Sequence, residues 1–324
     1  MLVEWIGPGN RSYPSLDKGF PMTASTPAKR FRDLGSKAVP YLLIAPVVIY
    51  YFFFWFRPVL VTLIKSFQTA AGAFTFQNYV MVLTDPDFLV ALRNTAIIVL
   101  FSVTLEFLGA LFLALLINRK FTGSTFFLFV AMIPMALPGV AVAAMWLTGL
   151  TAHGWINSLL YYLGILAEGA KIYWLAGSEW KLLALIIVID AWQVIPSMMI
   201  ILLAGLQNIP EETIEAGYVF GGNFITVLRK ITMPLLGPTI QTAVILRLIS
   251  AIQIWLIIVL LVGFSRMPVL VERIVYYYKE VPNLDISLQM ASGYAIVVSF
   301  IVSMVALLYL RVSGAFGGKK GAAQ

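Results

Sequence analysis

Residues 191–234 read AWQVIPSMMIILLAGLQNIPEETIEAGYVFGGNFITVLRKITMP. The first half would dissolve in lipid. The second half carries Glu211, Glu212, Glu215, Arg229, Lys230 and a Gly221-Gly222 pair, and beyond Pro234 a long apolar run resumes. The apolar runs on either side decide the fold class. The polar insert between them needs a separate reason to exist.

The chain has 324 residues, 60% of them hydrophobic and 11% charged, against about a quarter charged in an ordinary soluble domain. Several runs reach the roughly 20 apolar residues that a helix needs to cross a bilayer. The sequence therefore predicts an all-α integral membrane protein and excludes a soluble enzyme. Six membrane helices are expected, over about 39–64, 92–117, 126–147, 182–205, 238–262 and 286–310. Pro134 and Pro138 are expected to kink the third. There is no cysteine, so disulfides and thiolate metal sites are excluded, and no metal site is expected. The net charge of +7 reflects basic residues at cytoplasmic edges rather than nucleic-acid binding. No cleavable signal peptide is read, because the first apolar run starts near Val39 and is too long for one.

Lysine and arginine set the orientation. Lys29, Arg30, Arg32 and Lys37, then Arg119-Lys120, Arg229-Lys230, and Arg311, Lys319 and Lys320 fall on one side. The opposite loops hold fewer, and Asp85, Asp87, Glu179 and Glu272 offset several of them. Both termini and the polar insert are expected in the cytoplasm. Residues 1–37 are expected to be a flexible basic tail, which Met22 could equally well begin. Residues 38–312 form the membrane domain with its loop at 207–234, and 313–324 are a second flexible tail.

Within the insert, Pro210 suits a helix start, and Glu211 and Glu212 sit where the helix dipole favours negative charge. Gly221-Gly222 breaks that helix and Asn223 can cap a second. There Phe224, Val227, Leu228 and Ile231 recur on one face, and Pro234 is expected to end the helix. Two short helices with an apolar face and a charged end suit docking on a partner. They also suit an amphipathic hairpin lying on lipid.

The stretch resembles the cytoplasmic coupling loop of ABC importer permeases, whose motif is E-A-A, three residues, G, nine residues, then I-x-L-P. Glu215, Ala216, Gly217, Gly221, Ile231 and Pro234 stand at that spacing. Gly217, Met233 and Phe220 depart from the pattern, at positions where Ala, Leu and (in the carbohydrate branch) Asp are usual. Residues 191–212, together with PYLLIAPVVIYYFFFWFRP, MIPMALPGVAVAAMW and HGWINSLLYYLGI, resemble the carbohydrate-uptake branch, of the maltose/trehalose type. This resemblance covers about residues 37–312. It implies a permease in the cell membrane of a prokaryote, working by alternating access. It also implies a second permease, two cytoplasmic ATPase subunits docked on the coupling loops, an external solute-binding protein and a carbohydrate substrate, with no nucleic acid. Gly222 belongs to the same turn. Glu215 should face a basic residue of the ATPase. GGKK at 317–320 lacks the spacing and hydroxyl of a phosphate loop. No cofactor or catalytic residue is therefore expected on this chain, and ATP and Mg belong to the partners.

Charges inside spans cost roughly 2.5–3.5 kcal/mol each at a helix centre and face a cavity or one another. Glu106 and Arg247 are expected to form a buried ion pair. Asp190, Gln193 and Ser197 share one face of the fourth helix, and Ser250 and Gln253 form an edge of the fifth. With Trp192, these are expected to line a solute path, since carboxylates and amides suit sugar hydroxyls. GWINSLLYYLGI is expected along the outer surface. Other solutes (a polyol, a glycerol phosphate, a peptide), a carrier driven by an ion gradient and an assembly subunit remain alternative readings.

Overall fold

The computed structural model describes residues 27–279 and 284–314. Among these there is no strand, only an isolated bridge between Gln68 and Phe74. In chain order the helices are α1 (Pro27–Tyr51), α2 (Arg57–Ser66), α3 (Gln77–Thr84), α4 (Phe88–Asn118), α5 (Ser124–Ala136), α6 (Gly139–Gly149) and α7 (Trp155–Tyr162). They continue with α8 (Glu179–Gln207), α9 (Glu211–Val219), α10 (Phe224–Val227), α11 (Met233–Ile252), α12 (Leu256–Val262), α13 (Leu270–Lys279) and α14 (Leu284–Val312). Five are long and apolar enough to cross a membrane, Val39–Ser66, Phe88–Asn118, Glu179–Gln207, Phe224–Ile252 and Ser287–Val312, and the bent pair α5/α6 raises this to as many as six. The chain is a multi-pass membrane protein. α1 begins at Pro27, inside the segment expected to be a tail; residues 1–26 and 315–324 lie outside the described residues.

The described residues fall into two compact units, divided after Pro58. In the first, an aromatic run closes α1, with Tyr50 stacked on Phe54 at 4.9 Å between ring centroids. In the second, α4 and α8 make the most extensive contact, α11 packs on both, α5 covers α8, α12 meets α6, and α3 and α13 pack on α14. Small buried residues on α4, Ala110 and Ala114, let Met198, Met199 and Leu202 of α8 come close near the α9–α10 end. A second cluster of Ile98, Leu183, Ile186, Ile189 and Ile258 fills the opposite half. Leu100, Phe101, Leu108, Phe112 and Val188 point outward. That leaves an apolar exterior suited to acyl chains, where a helix must satisfy its own backbone hydrogen bonds.

Two local features correct the sequence expectations. First, Pro234 does not end a helix. Residues Leu228–Thr232 form a π turn in which Met233 N–H bonds the carbonyl of Leu228, so the helix runs from Phe224 to Ile252. The same device occurs at Phe52–Phe56, where Arg57 N–H bonds the carbonyl of Phe52 immediately before Pro58. An α-register would drive a proline ring into the carbonyl four residues back. A single wider turn relieves that clash and uses one donor fewer. The expected fifth span over 238–262 is thus displaced toward the N-terminus. Gln253–Trp255 leave the helix and Leu256–Val262 form a separate α12.

Second, the helix expected as the third span is broken rather than kinked. Pro138 keeps Leu137 extended (φ −83°, ψ 131°), as a residue before proline prefers, and α5 and α6 meet at 92°.

Candidate functional site

The polar insert folds as a hairpin of two helices. Asn223 caps the second, its Oδ1 accepting the N–H of Thr226 at 2.8 Å. Gly221 takes φ +83° in the turn, a conformation that glycine adopts without strain. Val227 is buried and Leu228 and Ile231 are half-buried, so these three residues of the stripe pack inward, while Phe224 stays exposed. A Cβ on Gly217 would lie 2.5 Å from Cδ1 of Ile231. Glycine at that motif position thus lets the two arms close on one another. Glu215 and Ala216 are exposed, and Phe220 at the tip is 90% exposed.

The hairpin is tied to the membrane helices. Lys120 Nζ donates to Glu211 Oε1 at 2.8 Å, which holds the Glu211 carboxyl below the usual carboxylate range. The guanidinium of Arg119 lies 5.2 Å from the ring centre of Phe224. A cavity of about 660 Å³ opens between the ends of α4 and α8 and the hairpin, lined among others by Asn118, Gln207, Glu215 and Tyr218. α11 continues the second arm without interruption, so any displacement of the hairpin is applied directly to a membrane helix.

Along α11 stands Arg247, 8% exposed. Its Nε donates to Glu106 Oε2, and its Nη2 donates to Glu106 Oε1 at 2.8 Å and to Asp190 Oδ2. Its Nη1 reaches Ser250 Oγ at 3.3 Å. Ser102 Oγ lies 2.8 Å from both Glu106 Oε1 and Asp190 Oδ2. One guanidinium therefore joins α4, α8 and α11. The sequence placed Glu106 with Arg247, and the structure adds Asp190 to the pair.

The other residues read as a solute path are dispersed. Gln193 donates to the Leu137 carbonyl at 3.1 Å, satisfying the acceptor that the break between α5 and α6 exposes. The Trp192 ring meets Trp146 edge-on, 5.7 Å between centroids. Ser197 bonds the Val194 carbonyl of its own helix, and Ser250 that of Arg247. Gln253 and Trp255, at the break after α11, line a cavity of about 430 Å³ with Ser299 and Ser303 of α14.

A second buried network was not legible as a unit. Asp85 accepts hydrogen bonds from Tyr277 Oη at 2.9 Å, from Tyr294 Oη, and from Arg273 Nη2 at 3.2 Å. Asp87 pairs with Arg273 Nη1 at 3.0 Å. Burial pushes the Asp85 carboxyl up, but the two tyrosine hydroxyls, the Asp87 N–H and Arg273 together hold it below the usual range. Tyr277 is pushed up to about 12, by burial and by Asp85. Beside them Glu272 is fully buried, and burial raises its carboxyl. In sequence these residues appeared only as scattered loop charges. The run of three tyrosines at 276–278 was the available signal.

Residues 106–317 match the family described as the binding-protein-dependent transport system inner membrane component. The trehalose/maltose transport system permease protein MalF of Thermococcus litoralis is 31% identical over 230 residues, 69% of this chain and 76% of that protein. The sulfoquinovosyl glycerol transport system permease protein SmoG of Agrobacterium fabrum is 31% identical over 294 residues, 87% of this chain and 92% of that protein. A crystal structure of a bacterial ABC transporter involved in import of the acidic polysaccharide alginate superposes with a TM-score of 0.77 at 21% identity, covering 88% of this chain and 98% of that one. A bacterial alginate ABC transporter in complex with an alginate pentasaccharide-bound periplasmic protein gives 0.77 at 19% identity, covering 89% of this chain and 98% of that one.

Proposed function

The chain belongs to the binding-protein-dependent transport system inner membrane components, and from that membership we propose that it is the permease subunit of an ATP-driven importer carrying a sugar into the cytoplasm. Relatives named for trehalose/maltose and sulfoquinovosyl glycerol transport favour a solute of disaccharide or oligosaccharide size. The chain lies in a prokaryotic cell membrane with both termini in the cytoplasm.

The observation that carries the coupling mechanism is the hairpin itself. Glu215 and the apolar tip at Phe220 are exposed while the arms are anchored and continuous with α11. An exposed acidic and apolar tip suits a basic, apolar recess on a separate ATPase. Two such ATPases, with their ATP and Mg, grip the hairpins of this chain and of a second permease. Their closure moves α11 as a lever, and a binding protein delivers solute at the opposite face. Gln253, Trp255, Ser299 and Ser303, gathered around one cavity, offer amide, hydroxyl and indole groups to a sugar. Asp190, Gln193 and Trp192 act behind that surface by joining neighbouring helices, while Ser197 and Ser250 bond carbonyls of their own helices.

Glu215→Arg tests the mechanism. Sugar uptake is expected to fall to background while the chain still inserts and its helix content is unchanged. Co-purification of the ATPase is expected to be lost in the variant. Normal uptake with the ATPase retained would overturn the assignment of the hairpin.

A further inference from the structure

The junction of Glu106, Asp190, Ser102 and Arg247 holds too few hydrogens for its contacts if both carboxyls are ionised. A hydroxyl has one hydrogen, yet Ser102 Oγ lies 2.8 Å from an oxygen of each carboxyl. If Ser102 donates to one, its contact with the other sets lone pair against lone pair. The Arg247 donors that face the two carboxyls, the one on Nε and the two on Nη2, are already engaged, and Nη1 is turned to Ser250 instead.

Charge points the same way. Glu106, Asp190 and Arg247 are 0%, 4% and 8% exposed, and fully ionised they would carry one net negative charge inside the membrane. An uncompensated buried charge costs several kcal/mol. Among the described residues, the helices packed around the junction supply no other countercharge: on α13, which packs on α4, Arg273 is engaged by Asp85 and Asp87 and Lys279 is exposed. α5, on α8, has no titratable side chain, and on α14, against α11, Tyr294 is engaged by Asp85 while Tyr309 and Arg311 stand near the far end of the helix.

We propose that Glu106 and Asp190 hold one proton between them at neutral pH, so that the junction is an electrically neutral clamp carrying α4, α8 and α11 as one body. The carboxyl that keeps the proton donates it to Ser102 Oγ, and Ser102 donates its own hydrogen to the other carboxylate, which Arg247 neutralises. All contacts are then satisfied and the net charge is zero. The proton belongs to the clamp and takes no part in driving transport. Because α11 is continuous with the hairpin, a neutral and fully bonded joint passes hairpin motion to α4 and α8 with little loss to rearrangement. The protonation is a property of this chain alone; its use in transport rests on the importer reading.

Infrared spectroscopy of the full chain in lipid nanodiscs, in light and heavy water, tests this directly. Glu272→Gln serves to identify the signal of Glu272, a buried carboxyl outside the junction that burial raises. The wild type is expected to show a protonated-carboxyl band that Glu106→Gln and Asp190→Asn each remove. Removing either acid leaves a single carboxylate beside Arg247, with no reason to keep a proton. A wild-type spectrum without the band overturns the proposal, as does a band that survives either substitution.

A second measurement covers the case of a weak band. The folded chain keeps this proton and the unfolded chain releases it. The thermal stability of the wild type is therefore expected to fall as pH rises above the ordinary carboxyl range of about 4. Asp190→Asn, whose amide can donate to Ser102 in place of the acid, is expected to flatten that fall. Equal pH slopes in the two proteins overturn the proposal. Both measurements read the proton of the clamp without a transport assay. Neither result bears on Glu215.

Discussion

Two buried arginines in this chain each face two carboxyls, and they resolve the same problem in opposite ways. Arg273 meets Asp85 and Asp87 near the start of α4, where two tyrosine hydroxyls and a backbone N–H add donors to Asp85. The Asp87 side chain is 39% exposed and reaches water. Arg247 meets Glu106 and Asp190 along the spans, where one serine hydroxyl is shared and neither acid has appreciable access to water. At the first site both carboxyls can be ionised. At the second, the shortage of donors and of water calls for a proton. The charge state of a buried acid here follows from the supply of hydrogens around it, and the number of carboxyls paired with each arginine, two at both sites, does not decide it.

The largest difference between the sites is expected from deleting each guanidinium. Arg247→Met leaves Glu106 and Asp190 together with no cation, and breaking such a buried pair costs about 3–5 kcal/mol. Thermal unfolding in nanodiscs should show this loss, together with reduced yield from membranes. Adding Glu106→Gln and Asp190→Asn to the same chain should recover much of it, since no buried charge then remains. Arg273→Met is expected to cost less, roughly 1.5–3 kcal/mol, the value of hydrogen bonds to a charged group, because Asp85 keeps its tyrosines and Asp87 can turn to water. If the two single variants lose the same stability, solvent access is not what separates the sites.

The comparison also shows what the sequence made legible. The spans, the Gly221 break and the Asn223 cap depend on hydropathy, backbone freedom and local side-chain chemistry, all of which act over a few residues. Glu106 and Arg247 could be paired because charges in lipid have few alternatives. Adding Asp190 required the relative rotation of α4 and α8, which packing sets. Pro234 carried a misleading signal, because its usual reading as a helix stop assumes an α-register that the π turn at Leu228–Thr232 abandons. The 92° break at Leu137-Pro138 lay within reach of the sequence, through the restriction proline places on its predecessor. Its angle lay beyond reach, since the packing of α6 against α12 fixes it. Asp85 looked like an ordinary loop charge because Arg273 and Tyr277 of α13 and Tyr294 of α14, which surround it, lie far along the chain.

The smallest effect tests the donor argument itself. Tyr294→Phe removes one hydroxyl from Asp85 and keeps the ring, which is fully buried and stacked on Tyr277 at 5.5 Å. At neutral pH the loss should be about 1.5 kcal/mol, the lower end of the range for a hydrogen bond to a charged group. Its pH dependence distinguishes hydrogen bonding from packing. Asp85 is held below its unfolded value, so its contribution is present above about pH 4 and is lost as pH falls through the lower, folded value. With one donor gone the folded value moves back toward the unfolded one. The gap between wild type and Tyr294→Phe should therefore close as the pH is lowered. A gap that stays constant into acid would mean that Tyr294 acts through its ring alone. Donor supply would then no longer distinguish the Arg273 site from the Arg247 site, and the two would differ only in their access to water.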